Sequence, residues 1–425
     1  MQFLKGKHKI TRNNLQILNF TVSIKCKIII FFIILFPTII YSQDDTIVKR
    51  LTLKQLIDSA FTNHPEIKNA ELNIVSAKSQ NKIFPDIKPT EINYERGQMF
   101  SAYIDDKLEI KQNFGSPFTW KSKASYARNL VDLKKSEALL TKAQISNRIK
   151  AAYYECIYEM NRIKILDDQK ALYSELLHIV DLHYKSCDTD KLEKSIAENQ
   201  LALIISRSDE AYNDYLLAKN NLVKEAYINS DFEPVDEDLD MYQIEFSTDT
   251  LNPTRVNILS DYYSQQSSLA TASVKLANSK FYPEISAGYF NQSINGEKNF
   301  TGFQIGLVMP LWFIPQAANR REALAQKQIA ENELNWQKFN IKNNSEKLKI
   351  KLNKYFERLN YFYDFALKNA DTLETLALKK LKADSLNTNE YLQSISTAYD
   401  IRLEYLETLK KYNQAAIELE LYTLY

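Results

Sequence analysis

Amphipathic patterns of helical period cover most of this chain. No glycine or proline occurs between Pro117 and Pro234 or after Pro315, so both stretches can form uninterrupted helix. A helix from Phe118 to about Ser186 would be ~100 Å long at 1.5 Å per residue, which predicts an elongated, mainly α-helical protein. Apolar side chains recur at helical spacing in the series Ile145, Ile149, Ala152, Cys156 and Met160.

Strand-like alternation is confined to two windows, residues 90–117 and 283–315, which also contain all six glycines that follow residue 42. In the segment NFTGFQIGLVMPLW (299–312) bulky apolar residues alternate with small or polar ones, which is the period of a strand. A partner strand from Pro283 to Gln292 and a hairpin turn at Asn295-Gly296 are predicted before it. One face of the later strand holds Phe303, Ile305, Leu307 and Met309, and the other holds Gly302, Gln304, Gly306 and Val308.

The first window shows the same alternation more weakly. Four strands per chain are therefore predicted, each with an apolar and a polar face. In the first strand the apolar face holds Ile92 and Tyr94, and the polar face holds Glu91, Asn93 and Glu95. In the second strand the apolar face holds Leu108, Ile110 and Phe114, and the polar face holds Glu109, Lys111 and Asn113.

An internal repeat relates the two halves of the chain. SQNKIFPDI (79–87) aligns with ANSKFYPEI (277–285) at an offset of 198 residues, and DKLE (190–193) aligns with NTNE (387–390) at 197. Both four-residue matches place a helix N-cap residue three positions before Glu, the arrangement of a reciprocal capping box. Each half, 43–230 and 253–425, is predicted to contain a helix, a β-hairpin (about 90–114 or 283–312) and a long helical hairpin that turns near 186–190 or 383–387. Residues 231–252 form an acidic linker, typical of a solvated surface.

The N-terminal segment has the features of an export signal. Lys25 and Lys27 precede an apolar run from Ile28 to Ile40, and the small residue Ser42 follows it, so residues 1–42 are predicted to be a signal peptide. That segment carries six of the 54 Lys and Arg, which leaves 48 basic residues against 53 acidic ones. This weak acidity argues against nucleic acid as a partner. Cys156 and Cys187 are expected to be free thiols rather than a disulfide.

The predicted strands have the length of membrane-spanning strands. About 9–11 tilted residues cross a bilayer, and aromatic residues cluster near the strand ends. In lipid an open sheet edge leaves backbone groups unpaired, so a membrane sheet must close, with at least ~8 strands. We therefore expect several copies of the chain to combine their strands. Lipid-facing residues are then Phe303, Ile305, Leu307 and Met309, and lumen-facing residues are Glu109, Lys111, Asn113 and Gln304. The alternative is a pair of hairpins that pack their apolar faces on a helical core.

With this organisation the chain resembles the TolC family of outer-membrane efflux proteins over nearly its whole mature length. The resemblance is carried by LTLKQLIDSAFTNHPEIKNAELNIVSAKSQ (51–80), FGSPFTW (114–120), VMPLWFIPQAANR (308–320), YKSCDTDKLEKSIAENQL (184–201) and the segment from Ala383 to Ala415. It implies a homotrimer with a twelve-stranded outer-membrane barrel and a periplasmic α-helical tunnel. A periplasmic adaptor (membrane fusion protein) and an inner-membrane pump of the resistance–nodulation–division (RND) type are the implied partners. FPDIKPTEINYERGQ (84–98) and PLWFIPQ (310–316) are most similar to the CusC and CzcC types, which are associated with heavy-metal cation pumps.

The helical turns depart from the family pattern. Family members often have glycine there, whereas this chain has Cys187 and Asp384. Asp188 and Asp190 lie beside them, so a trimer would gather nine carboxylates at the periplasmic entrance and could attract cations. The alternative is that these carboxylates only cap helices, which suits Asp190 best.

No catalytic constellation is found in the sequence. It contains no phosphate-binding glycine loop, HExxH motif or nucleophile elbow, so an enzyme is not expected. His178 and His183 are five residues apart and poorly placed for one metal, and no metal or cofactor is expected. The preferred hypothesis is a passive outer-membrane conduit for heavy-metal cations in a tripartite efflux system. Alternatives are the same duct for drugs or type I secretion, and a soluble periplasmic coiled-coil scaffold or adaptor.

Overall fold

The computed structural model describes residues 49–82, 87–99, 102–186, 189–229, 232–244, 257–309, 311–383 and 388–423. The chain divides into a unit of residues 1–49 and a unit of residues 50–425, and the fold described below is that of the second. The predicted signal peptide lies outside the described residues.

Helix dominates the described part of the chain, with a smaller sheet component. Among the described residues, no helix combines the length and the apolar composition that a membrane span requires. The helices are α1 (Leu53–Asn63), α2 (Pro65–Asn81), α3 (Pro117–Lys185), α4 (Lys191–Ala226), α5 (Ile258–Ser279), α6 (Ile314–Tyr361), α7 (Leu367–Lys382) and α8 (Thr388–Thr423). The strands are β1 (Lys49–Leu51), β2 (Glu91–Gly97), β3 (Asp105–Gly115), β4 (Phe232–Pro234), β5 (Glu284–Ile294) and β6 (Glu297–Val308).

The order of elements is similar in the two halves. The order helix, hairpin, long helix, helix occurs as α2-β2-β3-α3-α4 and then as α5-β5-β6-α6-α7-α8. Helix α6 begins 197 residues after α3, at Ile314 and Pro117, and α8 begins 197 residues after α4, at Thr388 and Lys191. The first half differs in having an extra break at His64, which ends α1 and caps α2 through its Nδ1, the acceptor from the Glu66 amide at 3.2 Å.

A four-stranded antiparallel sheet has the order β2-β3-β5-β6. The predicted turn at Asn295-Gly296 is confirmed: φ is 58° and 83° at the two residues, as a two-residue type I′ hairpin requires. Asp105, which is buried, accepts a hydrogen bond from the Asn295 amide at 3.2 Å and so ties this turn to β3.

The helices attached to the sheet pack in the order of their strands. Helix α2 packs on α3, α3 on α5, and α5 on α6. Helices α2 and α5 directly precede β2 and β5, and helices α3 and α6 directly follow β3 and β6. The helices are therefore arranged in the same order as the strands they adjoin. Each strand is thus linked in sequence to a helix of the same layer. Farther from the sheet, α4 packs on α3, α3 on α8, and α8 on α6 and α7.

The two largest hydrophobic clusters of the described residues hold this helical layer together. The first joins α1, α3, α4 and α8 around Leu56, Ile149, Tyr153, Leu222 and Leu409. The second joins α3, α4, α7 and α8 nearer the hairpin turns, around Tyr173, Ile204, Ala370, Tyr391 and Ile395. The predicted apolar series on α3 contributes Ile145, Ile149, Ala152 and Cys156 to the buried face, whereas Met160 is only partly buried.

The helical segment that begins at Ile314 is not regular throughout. One π-helical turn, Phe362–Ala366, separates α6 from α7. Phe362 is buried there and its ring packs edge-on against Tyr405, while the Tyr363 hydroxyl lies 2.7 Å from the Tyr405 hydroxyl. The absence of glycine and proline correctly predicts continuous helical structure but contains no signal for this turn.

The described part of the linker, residues 232–244, packs against the helices. Phe232, Leu239 and Tyr242 are buried, and β4 pairs with β1 in a two-stranded sheet that the sequence pattern did not predict. The Tyr242 amide donates to Asn413 at 2.7 Å and its hydroxyl donates to Glu420 at 2.7 Å. The segment from 235 to 238 is exposed, so only part of the linker is a solvated surface.

We predict that Phe232→Ala destabilises the protein by roughly 3–5 kcal/mol, because it removes a fully buried ring and leaves a cavity. The matched control is Val235→Ala in the same segment, where the side chain is 38% exposed and a change of less than about 0.5 kcal/mol is expected. Thermal unfolding of the purified protein, followed by circular dichroism, measures both. Equal melting temperatures for the two variants would contradict the packing of this segment.

Candidate membrane and conduit surfaces

The sheet has one apolar face that is continuous across its strands. The register aligns Ile92 on β2, Ile110 on β3, Tyr289 on β5 and Phe303 on β6 in one cross-strand row. Neighbouring rows align Ala287 with Ile305 and Ile285 with Leu307. This face is open: Phe303 and Ile305 are each 86% exposed. Met309, predicted on the same strand, lies one residue beyond the end of β6 and is also exposed.

The opposite face of the sheet carries the polar residues. Lys111 aligns with Gly288 and Gln304 in one row, and Asn113 aligns with Ser286 and Gly306 in the next. Glu109 is partly buried and receives a hydrogen bond from Lys107 at 2.9 Å. The four residues predicted to face the lumen, Glu109, Lys111, Asn113 and Gln304, therefore share one face, and lumen contact remains a prediction.

An aromatic side chain also lies on the polar face, and the sequence analysis did not identify it. Phe290 aligns with Glu109 on one side and Gly302 on the other. A Cβ atom built at Gly302 would come within 2.4 Å of the Phe290 ring, so the ring occupies the space that a side chain at 302 would need. The sequence does contain a signal for this position, because side chains of a strand alternate between faces and Phe290 is two residues beyond Gly288 and four beyond Ser286.

A polar cluster joins the two hairpins where the sheet meets the helices. Glu284, at the start of β5, accepts hydrogen bonds from Lys88 at 2.6 Å and from Asn113 at 3.0 Å. Lys123, in the first turns of α3, interacts electrostatically with the same carboxylate. These contacts lie on the polar side of the sheet and link residues that are far apart in the sequence.

The proposed periplasmic entrance is described only in part. Cys187, Asp188 and Asp384 lie outside the described residues. Asp190 caps α4, and its Oδ1 accepts the Glu193 amide at 2.9 Å, as its capping role predicted. The expected reciprocal bond is not made by Glu193, whose carboxylate instead accepts hydrogen bonds from the hydroxyls of Thr189 and Thr388.

The contact from Glu193 to Thr388 joins the starts of α4 and α8, and therefore the two helical hairpins. Close by, Asp181 on α3 accepts from Lys185 and Lys194, each at 2.6 Å. These hydrogen bonds lower the pKa of Asp181 to about 2. The carboxylate is thus fully ionised at neutral pH, and its contribution to holding the hairpin is lost only as the pH falls from about 4 toward 2.

The described residues contain no group of three or more His, Cys, Asp or Glu side chains arranged to hold a metal ion. His64 serves as a helix cap, whereas on α3 His178 is exposed and His183 is partly buried. Burial raises the pKa of the Cys156 thiol to about 12, so this cysteine is protonated and unreactive at neutral pH.

We predict that Gly302→Leu reduces the yield of folded protein, because the new side chain overlaps the Phe290 ring. Gly97→Leu is the matched control: it also lies in a strand, and a Cβ at this position meets nothing within 4 Å. The readout is the fraction of detergent-extracted protein that keeps its folded mobility in unheated gel electrophoresis. Equal folded fractions for the two variants would show that the close approach at Gly302 is unimportant.

No protein-family model matches the sequence, and no curated protein matches it either. Solved structures do match. A membrane protein from Pseudomonas aeruginosa aligns with a TM-score of 0.74 at 13% identity, over 88% of this chain and 93% of that one. CusC aligns with a TM-score of 0.70 at 12% identity, over 88% and 92%. The Neisseria gonorrhoeae MtrE outer membrane channel, in its open state, aligns with a TM-score of 0.70 at 13% identity, over 87% and 88%. At these identities the likeness establishes the fold: this chain folds as the outer membrane channel MtrE and CusC do.

Proposed function

We propose that this chain is one subunit of a homotrimeric outer-membrane channel. Three copies would contribute four strands each to a twelve-stranded barrel, and their long helices would form a tunnel through the periplasm. The chain would act as a passive conduit, because a pump in the inner membrane supplies the energy and the channel supplies a water-filled path.

The observation that carries this proposal is the incomplete, two-faced sheet. Its strand order leaves β2 and β6 at the edges, and one face exposes large apolar side chains such as Phe303 and Ile305. An apolar face suits lipid, and an open edge in lipid leaves backbone groups without partners. Closure with neighbouring copies satisfies both conditions. In that arrangement Phe303, Ile305, Leu307 and Met309 face lipid, and Glu109, Lys111, Asn113 and Gln304 line the lumen.

The flanks of the helical layer favour the same association. Leu217 on α4 is 70% exposed, and Trp336 and Phe339 on α6 stack on each other and are more than half exposed. Exposed apolar groups of this size are typical of interfaces. Helices α4 and α6 lie on opposite sides of α3 and α8, as lateral contacts between successive copies in a ring would require.

The location and partners follow from the fold and the resemblance together. Neighbouring structures are described as outer-membrane proteins or channels, among them OprN, VceC, CmeC and MtrE, and this supports an outer-membrane location. A periplasmic adaptor and an inner-membrane RND pump are proposed as partners on the basis of the TolC-family resemblance. Channels of this kind are not enzymes, and no enzymatic activity is proposed.

We predict that the protein extracted from membranes runs as a trimer that dissociates on heating, and that it conducts ions in planar bilayers. Single-channel recording and unheated gel electrophoresis test this directly. A soluble periplasmic scaffold is the rival function, since hairpins could also pack against another protein. Recovery in the periplasmic soluble fraction, as a monomer without conductance, would favour the scaffold and end the channel proposal.

The proposed cargo is heavy-metal cations, with drugs or secreted proteins as the alternative. The sequence resemblance to CusC and CzcC types supports metals, whereas the structural likeness to CusC, at 12% identity, supports the fold alone. The carboxylates proposed at the entrance would raise the local concentration of cations there. They belong to Asp188, Asp190 and Asp384, and Cys187 is proposed beside them.

We predict that Asp384→Asn reduces the cation preference of the channel in bilayers with a salt gradient, because the trimer loses three charges at the entrance. Asp58→Asn on α1 removes the same number of charges elsewhere and should leave the reversal potential unchanged. A reversal potential that is equal in wild type and Asp384→Asn would exclude an electrostatic role for this residue.

A further inference from the structure

A groove with basic and aromatic walls lies where the sheet meets the helices. It is formed between the start of α3 and the end of α5, and has a volume of about 360 Å³. Phe118, Lys121 and Ser122 line it from α3, and Lys275, Asn278 and Tyr282 line it from α5 and the turn that follows. The groove contains two lysines and no acidic residue.

The two lysines are available to a ligand. Lys121 and Lys275 are exposed, and neither makes an ion pair within the described part of the chain. The helices on which they stand are fixed relative to each other, since the Thr119 hydroxyl donates to the Ser279 carbonyl at 3.1 Å. Two positive charges therefore belong to neighbouring helices that line the same groove, and no carboxylate lines it.

Two aromatic rings form the end of the groove nearest the sheet. Phe118 and Tyr282 stack with ring centroids 4.4 Å apart, yet they are 58% and 48% exposed. An exposed aromatic pair beside basic side chains is typical of protein at the depth of lipid head groups, where one end of a site is apolar and the other is wet.

Helical geometry places the groove on the apolar side of the sheet. Lys123 approaches Glu284, which belongs to the polar face. At about 100° per residue, Lys123 is roughly 140° from Phe118 and 160° from Lys121 around α3. The groove residues therefore lie on the side of α3 away from the polar face. Phe118 also follows the end of β3 at Gly115 by only three residues.

We propose that this groove binds an anionic phospholipid of the periplasmic leaflet, with the phosphate between Lys121 and Lys275 and the acyl chains along Phe118 and Tyr282. The inference rests on the proposed membrane-spanning sheet, because only that arrangement brings the groove to the level of the head groups. The charge of the groove selects an anionic lipid, and its aromatic end distinguishes a lipid from a free phosphate ion.

The test uses the full-length protein, extracted in detergent, with phosphatidylglycerol as the probe and native mass spectrometry as the readout. We expect one phosphatidylglycerol per chain and weaker binding of phosphatidylcholine. The double variant Lys121→Gln/Lys275→Gln should weaken phosphatidylglycerol binding about 30-fold, because each basic side chain near an anionic lipid contributes about fivefold. Lys342→Gln/Lys347→Gln, two exposed lysines on α6, is the charge-matched control and should leave binding unchanged.

A second variant distinguishes binding of a lipid from binding of a free anion. Tyr282→Ala should weaken phosphatidylglycerol binding, and millimolar inorganic phosphate should not displace the lipid from wild type. The proposal is overturned if the lysine variant binds like wild type, if phosphatidylcholine binds equally well, or if inorganic phosphate displaces the lipid. If the wild-type protein conducts ions and any of these results is obtained, the lipid site alone is disproved. If the wild-type protein does not conduct ions, the channel itself is disproved.

Discussion

Backbone hydrogen bonding at the two edges of the four-stranded sheet is the constraint on which the proposed assembly depends. Strands β2 and β6 have one neighbour each within the described chain. Water could satisfy their outward N–H and C=O groups, but lipid could not. The face shared by these strands exposes Ile92, Phe303 and Ile305, which water solvates poorly. Water is therefore an unfavourable environment for the apolar face of this sheet, and lipid is an unfavourable environment for its two edges. Closure with further strands removes both difficulties, and the proposed homotrimer would supply those strands from identical chains.

The link between sheet and helices explains how such a wall could continue beyond the membrane. Helices α2, α3, α5 and α6 pack in the order of the strands they adjoin, so the layer does not have to rearrange where the secondary structure changes. Gly115 has φ of 75°, a value that suits glycine, and Pro117 then occupies the first turn of α3, where a missing N–H costs nothing. Lys88 and Asn113 both donate hydrogen bonds to Glu284 across this boundary. Local backbone chemistry and a long-range polar contact thus fix the same junction.

Features encoded by local pattern could be predicted from the sequence, and features that depend on distant residues could not. The 69-residue helix α3 follows from the absence of helix breakers, and the turn at Asn295-Gly296 follows from residues that tolerate positive φ. The assignment of Glu109, Lys111, Asn113 and Gln304 to one face follows from the period of a strand. By contrast, the reciprocal bond of the capping box at Asp190 is missing because the Glu193 carboxylate accepts from Thr189 and from Thr388, which is 195 residues away. The pairing of β1 with β4 and the π turn at Phe362 also depend on tertiary partners.

The two lysines of the groove differ from several lysines elsewhere on the helices. Within the layer, lysines on one helix meet carboxylates on another: Lys142 binds Glu71, Lys410 binds Glu155, and Lys150 binds Glu420, all at 2.6–2.9 Å. These pairs need no outside ligand. Lys121 and Lys275 line one groove, and no carboxylate lines it. A phosphate in the groove would be attracted by both positive charges. A groove that carries two lysines and no carboxylate can therefore accept an external anion such as a lipid phosphate.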